Sequence, residues 1–416
     1  MIRLRVGEKY KPLEPCLRYV TDHINMYYAS GKAIELYYGE PEDCESLTMR
    51  PGRAVLDFFS GGQSVPVEYT MISWKEWKIP LFFSNNPNLS GPHLPDLLMP
   101  AFYLLSGWQE THSNEQDRYG RFPAEAHILA GYELMDVPVV NCYFEMLAGL
   151  VSARSGGEIS CSRRFTASIT HYIDICLSGW KENSFRAIKD GHLGGGVRTV
   201  LRRLKGEDVW FNFDEMLKVE KELGLNAVYF FMAAEDINSE GPDYHIDDPR
   251  IRDVLQRVRE HGHEIAVHGS RGTAERSADL AGEAAALGAD VKGNRFHFLD
   301  FRLPEVFESV AGAGLAYDSS LGFAGAPGFR TGFCFPYFPW DFQRSRAYRI
   351  VEFPLVVMDM GLQGYLKLSA SQGLDTIKRL VDGTAAFGGH FTLLWHNSFF
   401  SGYKYKGWKD VFIDTV

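Results

Sequence analysis

From about residue 160 onward, short apolar runs alternate with stretches whose apolar residues recur at helical spacing. The clearest case centres on Gly262-His263-Glu264-Ile265-Ala266-Val267-His268-Gly269-Ser270. Before it, Ile251, Val254, Leu255 and Val258 mark one face of a helix. Asp248 is placed to cap that helix, Pro249 suits its first turn and Gly262 ends it. Glu264 to Val267 then reads as a buried strand, with His268 at its carboxyl end on a turn. Further strands are predicted over Ala167–Asp174, Ala227–Phe231, Asn294–His297, Leu315–Asp318, Ile350–Pro354 and Phe391–Trp395. Helices are expected near Phe213–Leu223, Pro249–Glu260, Ala274–Leu287, Pro304–Val310 and Gln372–Ala386. Seven strand–helix alternations predict a parallel α/β fold, and the absence of a glycine-rich dinucleotide turn favours a barrel over an open sheet.

The first 150 residues carry a weaker pattern. Strands are expected over Arg53–Phe59 and Ile79–Ser84, the latter closed by the turn-forming Asn85-Asn86-Pro87-Asn88, and a helix from Pro100 through Trp108. The polar stretch from Gln109 to Phe122 reads as a loop, with His112 and Asp117 as solvated residues. Small polar residues from Ser152 to Glu158 place a domain boundary there. The expected organisation is a smaller α/β domain over 1–155 and a barrel over 160–416. Gly194-Gly195-Gly196 lacks the Lys-Ser/Thr of a phosphate loop and reads as a flexible connection. Arg198, Arg202, Arg203 and Lys205 read as one solvated face.

Composition narrows the function. The 416 residues are 45% hydrophobic and 23% charged, enough apolar content for a large core. The formal net charge of −10 argues against a general nucleic-acid binder. The first residues have no apolar core of a signal peptide, and no apolar run approaches the ~20 residues of a membrane span. The six cysteines include no C-x-x-C pair, so reduced thiols in the cytoplasm are expected. Oligomeric state is not readable.

The strand ends carry the candidate chemistry. Parallel barrels gather the carboxyl ends of their strands on one face. Asp174, His268, Arg295 with His297, Asp318 and His396 all fall there. Two histidines and a carboxylate form a common catalytic zinc set, which Asp174, His268 and His297 can fill. His396, paired with a carboxylate such as Asp318, would serve as a general acid near neutral pH. Singly, each residue also has a structural reading: a helix cap for Asp174, a core position for His297, an ion pair for Arg295, a turn for Asp318. Together they point to metal-assisted hydrolysis.

On these residues the chain resembles the polysaccharide deacetylase family with NodB homology, specifically long members with an extra N-terminal region. The matching stretches are Thr170-His171-Tyr172-Ile173-Asp174, Gly262 to His268, Arg295, Asp318, and Trp395-His396-Asn397. The resemblance implies a deformed (β/α)7-type barrel and metal-dependent removal of acetyl groups from N-acetylated sugars, with zinc the expected ion. It implies Asp174 and His268 as metal ligands, Arg295 as the residue that positions the base, and His396 as the catalytic acid. Two departures stand out. Gly272 occupies the place of a second metal histidine, for which His297 is the candidate substitute. Tyr172 occupies the place of the base aspartate. Alternation along the strand puts Tyr172 and Asp174 on one face and His171 on the other. Three readings follow: Tyr172 is an unusual base, a metal-bound hydroxide needs no protein base, or the site is weak or inactive and retains sugar binding.

Trp395 and Asn397, beside His396, are expected sugar contacts. So are Phe329 and Arg330 in the aromatic segment from Gly322 to Arg346, which either walls a cleft or packs over a barrel end. A carbohydrate is the expected partner. The competing readings are a glycan-binding protein without turnover and a hydrolase of another C–N or ester bond.

Overall fold

The computed structural model describes residues 1–40, 47–84, 87, 89–234 and 241–416. Cys44 and three residues of the expected turn, Asn85, Asn86 and Asn88, lie outside them. The chain divides into two compact units: 1–166 with 329–349 and 383–389, and 167–328 with 350–382 and 390–416.

In the first unit, strands Ile2–Val6, Ile34–Tyr38 and Leu47–Met49 form a parallel sheet, with Ile2 opposite Ile34 and Leu36 opposite Leu47. Helix Glu14–Tyr27 buries Leu17, Val20, Ile24 and Tyr27, the spacing of one helical face. Helix Leu98–Leu105 is buried along its whole length, and Asp96 caps it by accepting from the backbone N–H groups of Leu98 (3.2 Å) and Met99 (3.0 Å). The strand expected over Arg53–Phe59 is instead helix Val55–Gly61. Val55, Phe58 and Phe59 stand at i, i+3 and i+4, and Gly62 ends the helix at φ 62°. An antiparallel hairpin joins Tyr69–Trp74 to Trp77–Phe82.

The second unit is built on an eight-stranded parallel sheet. Its strands are β1 (Thr166–Ile173), β2 (Ala227–Phe231), β3 (Glu264–Val267), β4 (Gly293–Asn294), β5 (Tyr317–Asp318), β6 (Val351–Glu352), β7 (Val357–Met358) and β8 (His390–Leu394). The spatial order is β6-β5-β4-β3-β2-β1-β8-β7. β7 is the strand that hydrophobic patterning does not predict. The edge strands β6 and β7 are joined by only Phe353 to Val356. Laid flat, eight strands would span about 34 Å, at about 4.8 Å per gap. Five Cα steps reach no more than about 18 Å. The sheet must therefore curl until its edges approach. The connection is pinned on both sides: Leu355 donates to the carbonyl of Leu321 (3.0 Å) and Val356 to that of Thr392 (3.2 Å). Tyr172, Phe230, Ala266, Met358 and Leu394 pack together inside the curve.

Helices α1 (Gly179–Lys189), α2 (Leu193–Leu204), α3 (Phe213–Leu223) and α4 (Pro249–Glu260) connect β1 to β2 and β2 to β3. Asp248 caps α4 through the N–H of Arg250, and Gly262, at φ 83°, follows it. The three glycines 194–196 lie inside α2 rather than in a flexible connection. Gly196 sits where a Cβ would come 2.8 Å from Ile188 and 3.2 Å from the Ser184 carbonyl, so it allows α1 and α2 to touch. Among the described residues no helix is long and apolar enough to cross a membrane.

Candidate functional site

The carboxyl ends of β1, β7 and β8 and the turn after β4 enclose a cavity of about 230 Å³. Tyr172, Asp174, His297 and His396 line it, with Trp210, Phe298, Tyr365 and Tyr405 as aromatic walls and Lys404 at the rim.

His396 follows β8, and its partner is Asp359, which follows β7. The Asp359 carboxylate accepts from the His396 backbone N–H and meets its Nδ1, both at 2.6 Å. Asp359 is fully buried. Burial alone lowers the His396 pKa, but the charge and hydrogen bond of Asp359 outweigh it and hold the imidazole above its ordinary value. This corrects the expected pairing with Asp318. Strand order decides it: β7 is the neighbour of β8, whereas β5 lies on the far side of the sheet. Asp318 accepts instead from Asn294 (2.6 Å) and from the hydroxyl (3.0 Å) and N–H (2.8 Å) of Ser320. Burial pushes its carboxyl and that of neighbouring Glu352 upward.

His268 is buried beneath the cavity. Its Nδ1 donates to the Arg295 carbonyl at 2.6 Å, which leaves a lone pair on Nε2, and that atom has no hydrogen-bond partner. Burial, then the nearby His297, hold its pKa well below the ordinary value. The His268 and His297 rings lie 5.1 Å apart, and His297 Nε2 is 4.0 Å from an Asp174 oxygen. The 3-10 turn His297–Leu299 presents His297 and Phe298 to the cavity, with Phe298 and Leu299 at φ 57° and 52°. A neutral imidazole oriented by a carbonyl, with its other nitrogen buried and unpartnered, has the chemistry of a metal ligand. In spacing, no three His, Cys, Asp or Glu side chains among the described residues form a group that could hold a metal ion.

Burial of Tyr172 disfavours the phenolate that a base would need. The residue is 3% exposed, its hydroxyl lies 3.4 Å from the Phe296 carbonyl, and burial pushes its pKa upward. Its ring stacks on His268 with centroids 3.8 Å apart. Arg295, unlike Tyr172, lies outside the cavity lining. Its donors go to the Ser319 carbonyl (2.6 Å), the Ser319 hydroxyl (2.6 Å) and the Thr170 hydroxyl (2.7 Å). Its guanidinium lies over the Phe230 and Tyr172 rings at 4.6 and 5.5 Å, making it a cation of the barrel interior.

The four expected sugar contacts are structural. Trp395 is fully buried among Phe399, Trp408 and Phe412. Asn397 donates to the carbonyls of Ile175 (2.9 Å) and Trp210 (2.8 Å), and so holds two lining residues in place. Phe329 and Arg330 belong to the first unit. Phe329 is fully buried, and Arg330 makes a buried bidentate pair with Glu110 at 2.6 and 2.8 Å. The rest of that aromatic segment packs likewise: Phe335 stacks on Tyr27 at 4.2 Å and Trp340 meets Tyr19 at 5.0 Å. It is a packing element, not a cleft wall.

Sequence reasoning passed over Asp359, Trp210, Lys404 and Tyr405. For Asp359 a signal existed. The apolar run Leu355 to Met358 ends in an acid, the same pattern as the other strand ends.

Comparison with known proteins gives the following. Residues 15–155 match the model of a family of unknown function (DUF7033). Among curated proteins, none matches the chain. Solved structures similar to it include a protein named as a polysaccharide deacetylase from Mycobacterium smegmatis, at 14% identity over 61% of this chain and 82% of that one, TM-score 0.40. PuuE allantoinase matches at 12% identity over 61% and 83%, TM-score 0.40. BA3943, a CE4 family pseudoenzyme from Bacillus anthracis, matches at 9% identity over 61% and 60%, TM-score 0.29. Similarity of this depth assigns no activity.

Proposed function

We propose that the second unit is a hydrolase that removes the acetyl group from an N-acetylated sugar. The observation that carries this reading is the His396–Asp359 dyad, whose imidazole opens on a cavity walled by aromatic rings. A buried carboxylate on Nδ1 fixes the ring's tautomer and leaves Nε2 for proton transfer. The cavity, about 230 Å³, is smaller than the ~300–1,000 Å³ of typical ligand pockets and suits a single sugar ring. Tyr365, which lines the cavity and is 43% exposed, offers a ring face for its apolar side.

Asp174, His268 and His297 offer the oxygen and nitrogen donors of a zinc site, although their side chains are not spaced as one in this structure; they would hold a divalent ion only by drawing together around it. Bound there, the ion would polarise the acyl carbonyl. The chain's own contribution centres on His396. With a buried phenol at the position of the base, one imidazole takes both proton-transfer roles. It accepts a proton as water attacks the acyl carbon, then passes that proton to the nitrogen as the C–N bond breaks. The products are acetate and the free amino sugar.

Tyr172 favours a second reading, in which the cavity binds a glycan without turnover. Acetate release from a panel of N-acetylated sugars, with metal content measured alongside, separates the two. The hydrolase reading expects about one metal per chain, lost in Asp174→Ala and His297→Ala, and turnover that His396→Ala abolishes. Sugar binding without acetate release, with turnover appearing only in Tyr172→Asp, would establish the second reading. Turnover confined to other amides or esters in the panel would redirect the substrate class.

A further inference from the structure

Helix α2 is mounted with its apolar stripe facing outward. Leu193, Val197, Val200, Leu201 and Leu204 fall at i, i+4, i+7, i+8 and i+11, one face of a helix, and all are exposed, Leu193 by 64% and Leu204 by 78%. The side turned to the protein is made of small residues, Gly195, Gly196 and Thr199. On α1, Phe185 (70% exposed) and Ile188 extend the same patch. An amphipathic helix ordinarily buries this face. Cations lie around the apolar patch: Arg198 on α2, Lys205 just after it, and Lys181, Arg186 and Lys189 on α1. Residues 179–205 hold seven Lys or Arg against two Asp or Glu, in a chain whose net charge is −10. Arg202 and Arg186 meet Glu207 and Asp190 in exposed pairs that leave the local excess positive.

We infer that the α1–α2 hairpin is an interfacial anchor that docks the protein on an anionic lipid bilayer. An apolar stripe with a basic border is what the headgroup region of such a bilayer accepts: the apolar residues enter the acyl boundary and the Lys and Arg meet lipid phosphates. The hairpin is also tied to the cavity rim. Asn183 on α1 accepts from the N–H groups of Tyr403 and Lys404 at 3.3 Å, and Glu182 pairs with Lys404 at 3.0 Å. Lys404 and Tyr405 line the cavity, so the anchor brings its rim to the bilayer surface.

The test is co-sedimentation of the full chain with vesicles of phosphatidylcholine alone and of phosphatidylcholine mixed with phosphatidylglycerol, with light scattering of the free protein alongside. The anchor predicts binding to the anionic vesicles that collapses at about 1 M salt, where screening reaches within about 3 Å. Arg198→Gln should weaken it about fivefold. Leu201→Ser with Leu204→Ser should weaken it about tenfold or more, with unchanged circular dichroism because both side chains are exposed. Absence of binding to anionic vesicles overturns the inference. So does binding that the serine variant retains in full. A concentration-dependent dimer that the serine variant abolishes, without vesicle binding, would assign the patch to a second copy of the chain.

Discussion

Glu220, on α3, is a single buried carboxylate that fastens four neighbouring strands. It receives His171 Nε2 from β1 (2.6 Å), the Tyr229 hydroxyl from β2 (2.6 Å) and His263 Nε2 from the residue before β3 (3.2 Å). His171 Nδ1 reaches onward to the carbonyl of Trp395, just past β8, at 2.7 Å. Both nitrogens of His171 therefore face oxygen atoms, one of Glu220 and one of the Trp395 carbonyl. His263 takes the Ala227 N–H on its Nδ1 at 3.0 Å, which puts its own proton on Nε2, aimed at Glu220. Burial works against the Glu220 charge, but His171 and the other donors outweigh it and hold the carboxyl below its usual range. Its stabilising contribution is thus present above the ordinary carboxylate pKa and fades as pH falls through the lowered one.

Glu220→Gln replaces one acceptor oxygen with a donor and leaves a buried polar group of His171, Tyr229 or His263 without its acceptor. Removing one partner of a buried pair costs about 3–5 kcal/mol. For a body of roughly 200 residues, each kcal/mol shifts Tm by about 2–4 °C, so the loss should be on the order of 6–20 °C. Tyr229→Phe, which removes one hydrogen bond to a charged acceptor, should cost less, about 1.5–3 kcal/mol. Thermal and urea unfolding, each followed by near-ultraviolet circular dichroism, read the Tm and the free energy of both variants. A Glu220→Gln protein within about 1 kcal/mol of the parent would refute the reasoning and mean that the cluster is solvated or neutral.

Three further outcomes follow from the same geometry. Asp359→Asn keeps the shape of the dyad but removes the charge behind His396, and should lower turnover on the active substrate about 10²- to 10⁴-fold with the fold intact; unchanged kcat would discount the dyad. His23, His127 and His390 are held at pKa values of about 4 by burial, so NMR titration should find all three neutral at pH 6. Because the unfolded chain protonates them first, their contribution to stability is full above about pH 6.5 and is lost as pH falls toward 4, and a midpoint near 6.5 for His23 would contradict its burial. Arg330→Ala leaves Glu110 charged and unpaired in the first unit and should cost about 3–5 kcal/mol in chemical denaturation, whereas a substrate contact would change KM and leave stability alone.

The strand ends were legible in the sequence because a buried strand is a bounded apolar run, and the residue after it is conspicuous when it is His or Asp. Alternation also placed His171 opposite Tyr172, and the structure sends His171 to Glu220 while Tyr172 faces the cavity. Strand order was not legible. Periodicity along a chain says nothing about which strands are neighbours, so it offered Asp318 for His396 and gave no reason to look at Asp359, after the strand beside β8. β7 itself spans two residues, too few for any period to register. The aromatic segment from Phe329 to Trp340 misled for another reason: aromatic rings suit a sugar cleft and a packed core equally, and only burial separates the two. Helix α2 was not legible, because three consecutive glycines read as a flexible connection; in the structure they lie inside the helix, and Gly196 is where α1 comes close.

The four residues between β6 and β7 act as a hoop around the barrel. Phe353, Leu355 and Val356 are stitched to Asp318 and Leu321 on one side and Thr392 on the other, so the girth of the sheet is set by the length of this strap as well as by side-chain volume. The strap leads directly into β7 and Asp359. Lengthening it by one residue would slacken the hoop and slide Asp359 along His396 at the same time. The width of the cavity and the alignment of its proton-transfer pair are therefore a single adjustable dimension, carried by chain length.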